Sequence, residues 1–200
     1  MIDNLLPLKR FLQQLQQVPY LASKNLYRVA SHFLDMDAQK AAQFCQLLLE
    51  LKEHLTQCEI CFVWKERVQK CLFCDAPKRD KSIICVVENW QELLAMDRTG
   101  GYEGLFHILG GAISPLDGIG PEDLTIVPLL QRITNEPIKE IILALNQTPE
   151  GEATATYIAS KLKNSGITIT CLARGMPIGS SLEFTDRVTL YKALSERRPF

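Results

Sequence analysis

No uninterrupted apolar run in this sequence approaches the ~20 residues that a membrane-spanning helix requires. The N-terminal stretch Met1 to Lys9 carries Asp3 and lacks a basic flank ahead of an apolar segment, so no secretion signal is expected. The default location is then the cytoplasm. Excess charge of either sign is also missing: 22 Lys and Arg stand against 23 Asp and Glu, a net charge of -1. That balance gives no global signature of nucleic-acid binding, so any basic footprint has to be local. Internal repeats and low-complexity tracts are absent too. What remains is ordinary for a globular chain: 200 residues, 46% hydrophobic and 22% charged. That is enough for one large domain or two small ones, with a core that needs no staples over most of its length. The seven cysteines are an odd number. In a reducing compartment disulfides are rare, and paired cysteines point instead to a metal.

Residues 1 to 55 read as helical. Leu5, Leu8, Leu12 and Leu15 recur at helical spacing until Val18-Pro19 breaks the pattern. Ser23 is placed to cap a second helix bearing Leu26, Val29, Ala30 and Phe33. Asp35 and Asp37 mark the start of a third, striped by Ala41, Phe44, Cys45, Leu48, Leu51 and Leu55. From residue 82 the pattern changes to strands alternating with helices. Ile83-Ile84-Cys85-Val86-Val87 is a continuous apolar run that suits a strand buried on both faces. Ile138 to Leu145 and Ile167 to Leu172 read as further strands, and Glu152 to Lys163 and Thr189 to Leu194 as helices. This order predicts βαβ units and a parallel sheet.

Between the two parts lie Cys58, Cys61, Cys71 and Cys74, spaced C-x2-C, nine residues, C-x2-C. Two intervening residues let both thiolates of a pair face one ion, and two pairs complete a sulfur tetrahedron. The expected cofactor is one structural Zn2+, because four protein ligands leave no position for water or substrate. A redox C-x-x-C would not account for the second pair, and iron–sulfur clusters use other spacings. A segment of this size buries too little to fold alone, which gives the metal a structural reason to be there. Cys45, Cys85 and Cys171 fall on apolar positions and read as core cysteines.

Two other constellations carry chemistry. In the turn Gln17 to Lys24 and the helix after it, Lys24 and Arg28 are four apart and share a face able to meet a phosphate backbone. Spacing alone favours a plain hairpin with two solvated basic residues over a DNA contact. Further on, Glu88 ends the first strand, and Glu150-Gly151-Glu152 opens the helix after the second. Carboxyl ends of parallel strands are where α/β sheets build sites. Single glutamates there also serve simply as helix N-terminal residues. His107, in an apolar strand, reads as a hydrogen-bonded core residue, and Asp117 as a turn residue.

The acidic pattern resembles the Toprim domain of topoisomerases and primases, in which a glutamate after the first strand is followed by a metal-binding D-x-D. Here those two aspartate positions are Asn146 and Thr148. Magnesium prefers anionic oxygen ligands, so two-metal phosphoryl chemistry loses its support. The stretch Thr99 to Pro121, the tail Leu172 to Gly179 and the segment Leu182 to Asp186 resemble the bacterial RecR family of recombination mediators. The resemblance spans nearly the whole chain. It implies a multidomain α and α/β protein: a helix-hairpin-helix-like region at 1–55, a four-cysteine zinc finger at 56–81, a Toprim domain at 82–171 and a Walker-B-like segment with a helix at 172–200. It further implies a non-catalytic DNA-repair protein that acts with RecO, and in some lineages RecF, to load RecA onto single-stranded DNA. Sequence-independent DNA binding at Lys24 and Arg28 is implied, as are partner-binding positions at Glu88, Glu92, Glu150 and Glu152, and a homodimer or homotetramer. Rival expectations are a metal-dependent Toprim nuclease or primase and a scaffold with no DNA binding of its own. Two departures bear on these: Tyr20 and Ala22 stand where the family's hairpin has glycines, and Cys171 where many relatives are basic. Side chains at both hairpin positions disfavour positive φ, so the close backbone approach to phosphate is expected to be impaired.

Overall fold

A computed structural model describes residues 5–197 and 199. The chain forms two compact units, residues 1–55 and 56–200. The first unit is helical. Helix α1 (Leu6–Leu15) carries Pro7 in its first turn, where a missing N–H costs nothing. Helix α2 (Leu26–Asp35) packs on α1, with Phe11 meeting Phe33 edge-on at 5.6 Å between ring centroids. Helix α3 (Ala38–His54) starts where expected: the Lys40 N–H donates to the Asp37 carboxylate at 2.9 Å. Ser23 does not cap α2. It opens a single 3-10 turn, Ser23–Asn25, which hands the chain to the helix.

Among the described residues, Leu26 and Ala30 are the only ones of this unit that are buried. The apolar stripe of α3 exists but is not covered: Phe44, Leu47, Leu48, Leu49 and Leu51 are all about half exposed or more. The core reading of Cys45 is therefore wrong, and it is exposed with the rest of that stripe.

After α3 comes a ribbon of β1 (Leu55–Gln57) and β2 (Trp64–Glu66). The chain continues as β3 (Asp80–Val87), α4 (Trp90–Asp97), β4 (Gly104–Ile108), α5 (Ile126–Asn135), β5 (Glu140–Leu143), α6 (Pro149–Leu162), β6 (Thr168–Cys171) and α7 (Arg187–Ser195). The sheet order is β4-β3-β5-β6 and every pairing is parallel, as the alternating pattern predicts. Register sets Ile84 beside Leu105 on one side and Ile141 on the other. Ile84, Cys85, Val86 and Val87 are fully buried because the strand is covered on both faces.

Helix α5 is absent from the sequence-based assignment. Its inner stripe is Ile126, Leu129, Arg132 and Ile133, an apolar period interrupted by a charge. Arg132 is buried because its polar atoms are satisfied: Nη1 donates to the Phe106 carbonyl at 2.9 Å, and Nε to both oxygens of Glu136 at 3.2 Å. Cys85 is a core cysteine as expected, its thiol pushed up to about 12 by burial. Cys171 is not, since it sits exposed at the end of edge strand β6.

Because β3 connects to β4 on one side and the chain then returns to place β5 on the other, the carboxyl ends of β3 and β5 flank the point where strand order reverses. Parallel sheets place ligands there.

Candidate functional sites at a cysteine cluster, a sheet end and a hairpin

The cysteine cluster is built from two knuckles. At the first, the Cys58 N–H donates to the Val63 carbonyl at 2.8 Å and the Phe62 N–H to the Cys58 carbonyl at 2.9 Å. Phe62 closes this turn at φ +62°. At the second, the Asp75 N–H donates to the Cys71 carbonyl and the Asp75 carboxylate accepts from the Cys71 N–H, each at 3.0 Å. The four sulfurs lie within 4.8 Å of one another, with Cys61 and Cys71 Sγ 3.5 Å apart. A zinc–sulfur bond near 2.3 Å implies about 3.8 Å between sulfurs of a tetrahedron, so the donor set fits a metal ion with little adjustment. Cys58, Cys61 and Cys71 are buried and Cys74 is half-buried. The Cys74 thiol is drawn below its usual range chiefly by the hydrogen bond from Cys61, with Arg132 adding a favourable field.

This module shares its core with the sheet. Cys58, Cys61 and Cys71 cluster with Val87, Leu93, Phe106 and Ile108. The Ile108 N–H donates to the Cys61 carbonyl at 3.0 Å. Phe73 meets Phe106 edge-on, and the Arg79 guanidinium lies 4.8 Å over the Phe73 ring.

At the sheet end, Glu88 leaves β3 only 7% exposed. One of its oxygens accepts from the Asn146 backbone N–H at 2.7 Å, the other from Asn146 Nδ2 at 2.8 Å. The same Nδ2 donates to Glu92 Oε1 at 2.9 Å. The second Glu92 oxygen accepts from the Asn89 backbone N–H. One neutral amide therefore bridges two carboxylates, using both of its hydrogens. Gly151 makes the close packing feasible. A Cβ there would collide with the Asn146 carbonyl oxygen and crowd Glu88. Thr148 takes no part in the bridge and caps α6, accepting from the Gly151 N–H at 3.1 Å.

The other two glutamates go elsewhere. Glu150 is half-buried in the first turn of α6. Glu152 accepts from Lys192 Nζ at 2.9 Å and pairs with Arg174 at 3.2 Å. These two cations, Lys192 foremost, hold its carboxyl below the usual range. Arg174 and Lys192 escaped the sequence reading, since nothing in their spacing connects them with a residue on α6. His107 is wholly buried, with Nε2 3.1 Å from the Thr125 carbonyl and 3.0 Å from its Oγ1. That hydroxyl already donates to the Ile108 carbonyl at 2.6 Å, so both partners accept and Nε2 carries the proton. Burial depresses His107 to about 4, keeping it neutral. Asp117 accepts from Ser114 Oγ at 2.6 Å inside a turn.

At the hairpin, Lys24 and Arg28 are both exposed, in the 3-10 turn and the first turn of α2. Tyr20 overturns one expectation: it takes φ +64°, the conformation for which glycine is usual. Ala22 stays in ordinary extended backbone, φ -58° and ψ 140°.

The Toprim domain family matches residues 82–173, which run from within β3 past the end of β6. A second family, described as the RecR C-terminal segment, matches residues 175–198. The recombination protein RecR of Cutibacterium acnes (strain DSM 16379 / KPA171202) is 45% identical over 192 residues, covering 96% of this chain and 94% of that protein.

The chain belongs to the RecR family.

RecR of Staphylococcus haemolyticus (strain JCSC1435) is 42% identical, and that of Staphylococcus aureus (strain Newman) 41%, each over 96% of both chains. The family resemblance in the glycine-rich stretch and the tail is thus borne out, together with the mixed α and α/β architecture. Among the described residues no helix is long and apolar enough to cross a membrane.

Proposed function

We propose that this RecR-family chain is a non-catalytic recombination and repair mediator of the cytoplasm. It binds DNA without sequence preference, carries RecO on its acidic sheet end, and promotes RecA loading on single-stranded DNA. RecF is a second candidate partner. The observation that carries the non-catalytic reading is the Asn146 bridge. Where a Toprim enzyme needs carboxylates holding a divalent ion, Glu88 and Glu92 are already joined by an uncharged amide.

In this reading Cys58, Cys61, Cys71 and Cys74 hold one Zn2+, which supplies a structural cross-link; the closed sulfur shell supports that role. Lys24 and Arg28 contact phosphates. Glu92, Glu150 and Glu152, together with the nearly buried Glu88 that Asn146 holds, form the acidic set assigned to the partner, with Glu152 shared with the C-terminal segment. The uncovered apolar stripe of α3 supports self-association as a homodimer or homotetramer. The four parts act in chain order: hairpin 1–55, zinc finger 56–81, Toprim domain 82–171 and C-terminal segment 172–200.

Two experiments test this. A plasmid-nicking and primer-synthesis assay with magnesium or manganese is expected to give no product; activity that disappears in Glu88→Gln would establish a Toprim enzyme instead. In a DNA titration, Lys24→Ala with Arg28→Ala is expected to weaken binding roughly ten-fold or more at low salt, equally across sequences, and to flatten the salt dependence. Parent-like binding by the double variant would remove these residues from the interface. RecO binding with no DNA binding by the parent would support the scaffold reading.

A further inference from the structure

Tyr20 is unlike the rest of the hairpin. It is a bulky L-residue in the left-handed region, where glycine or asparagine would sit at lower cost. Its side chain is fully exposed. Among the described residues, neither its ring nor its hydroxyl has a hydrogen bond or ring contact that would offset that cost. Backbone strain held with no internal return points to a contact outside the chain.

The surroundings indicate the chemistry of that contact. Residues 5–34 contain Lys9, Arg10, Lys24 and Arg28, and not one aspartate or glutamate. This cationic stretch stands out in a chain whose net charge is -1. It fits a polyanion. A phosphate oxygen can accept from a tyrosine hydroxyl, but a phosphodiester backbone gives the face of the ring nothing to bind. In a duplex the base faces are occupied by their neighbours. In a single strand they are free, and an exposed aromatic beside cations is the usual platform for them.

We infer that Tyr20 stacks on an unpaired base of single-stranded DNA at the turn between α1 and α2. The inference rests on the reading of this hairpin as the DNA contact and adds to it a preference for single strands. Lys24 and Arg28 then supply strand-independent attraction, and Tyr20 supplies the discrimination.

The test compares the full-length parent, Tyr20→Gly, Tyr20→Phe and the Lys24→Ala/Arg28→Ala variant. Each is titrated into a labelled oligothymidylate and a labelled duplex of equal length across a salt series. Tyr20→Gly also removes the backbone strain, so a folding defect is not expected to imitate the effect. The expected result is roughly ten-fold weaker single-strand binding by Tyr20→Gly, duplex binding within about two-fold of the parent, and an unchanged salt slope. Tyr20→Phe keeps the parent's affinity. Photocrosslinking of an oligonucleotide carrying 5-bromouracil should map to Tyr20.

Parent-like single-strand binding by Tyr20→Gly overturns the inference and leaves the hairpin reading standing. So does an equal loss on single strand and duplex, which would assign Tyr20 to backbone contact. A Tyr20→Gly protein that binds DNA normally but changes its oligomeric mass places the ring between protein copies and overturns it as well. If the parent binds neither DNA at the lowest salt, the hairpin reading fails and takes the inference with it.

Discussion

The cysteine cluster and the acidic sheet end confront the same problem and solve it in opposite ways. Each gathers groups whose ionised forms repel one another in space largely removed from water. At the cluster the ligands are four thiols. The hydrogen bond with Cys74, and then burial, push the Cys61 thiol up against the Val63 N–H; burial pushes the Cys71 thiol up against the Cys74 and Phe73 N–H groups. Four sulfurs this close are a donor set that could hold a cation. At the sheet end Asn146 donates to Glu88 and Glu92 together, and the Asn146 and Asn89 backbone N–H groups take the remaining oxygens. The cysteines offer donors that a metal could join, whereas the carboxylates already share the donors of one amide. Fold and family alone would not separate these two outcomes. The donors around each set of ligands do.

The largest effect should come from the cluster. Stripping metal with a strong chelator, or replacing Cys61 by Ser, is expected to lower the unfolding midpoint by roughly 10 °C or more. Protease sensitivity should appear within residues 56–81. Calorimetry before and after chelation checks this; an unchanged midpoint would mean that the cluster needs no ion and that the contrast with the sheet end is false.

Next is His107, a buried group handled in a third way, by remaining neutral. Its pKa falls from 6.5 in the unfolded chain to about 4 in the fold. Between those values the unfolded chain binds more protons, so stability is full above pH 6.5 and declines as pH falls toward 4. The loss amounts to about 3 kcal/mol. Denaturant titrations at several pH values should show this slope in the parent and a flatter one in His107→Gln.

Asn146→Ala should cost about 2 kcal/mol, because Glu88 stays almost buried with one oxygen unmatched. Asn146→Asp should cost at least as much without metal, since it adds a third charge. Chemical denaturation of both variants measures the difference. Cost-free removal of the amide would show that the bridge holds nothing together.

The smallest effect belongs to Glu152, whose partners Lys192 and Arg174 are partly solvated. Glu152→Ala should leave the melting temperature nearly unchanged and speed proteolysis after residue 172. The same loosening should appear in the parent at acid pH. The folded-state pKa of Glu152 is depressed, so its contribution is present above the ordinary carboxylate range and disappears as pH falls.

The contrast between the two sites also marks how far the sequence could be read. The cysteine spacing is local, so its residues could be named from a short stretch of chain. The run Ile83 to Val87 announced a buried strand for the same reason. Glu88 and the neutral replacements at Asn146 and Thr148 were visible as residue types. Their bridging was not, because it depends on β5 lying beside β3, with Asn146 and Glu88 58 residues apart in the chain. Helix α5 escaped because Arg132 interrupts its apolar stripe, and only the tertiary partners Phe106 and Glu136 make that arginine a core residue. Cys45 and Cys171 lie on apolar patterns but at surfaces their own units do not cover, since periodicity shows a face and not what packs on it. A tyrosine at position 20 argues against positive φ, yet the turn imposes that conformation regardless.

Calorimetric titration of Mn2+ into the parent and into Asn146→Asp decides whether an amide stands in for a cation at the sheet end. The expected result is no stoichiometric binding to the parent and a new site in the variant that vanishes when Glu88→Gln is added. Stoichiometric Mn2+ binding by the parent, abolished by Glu88→Gln, would contradict it.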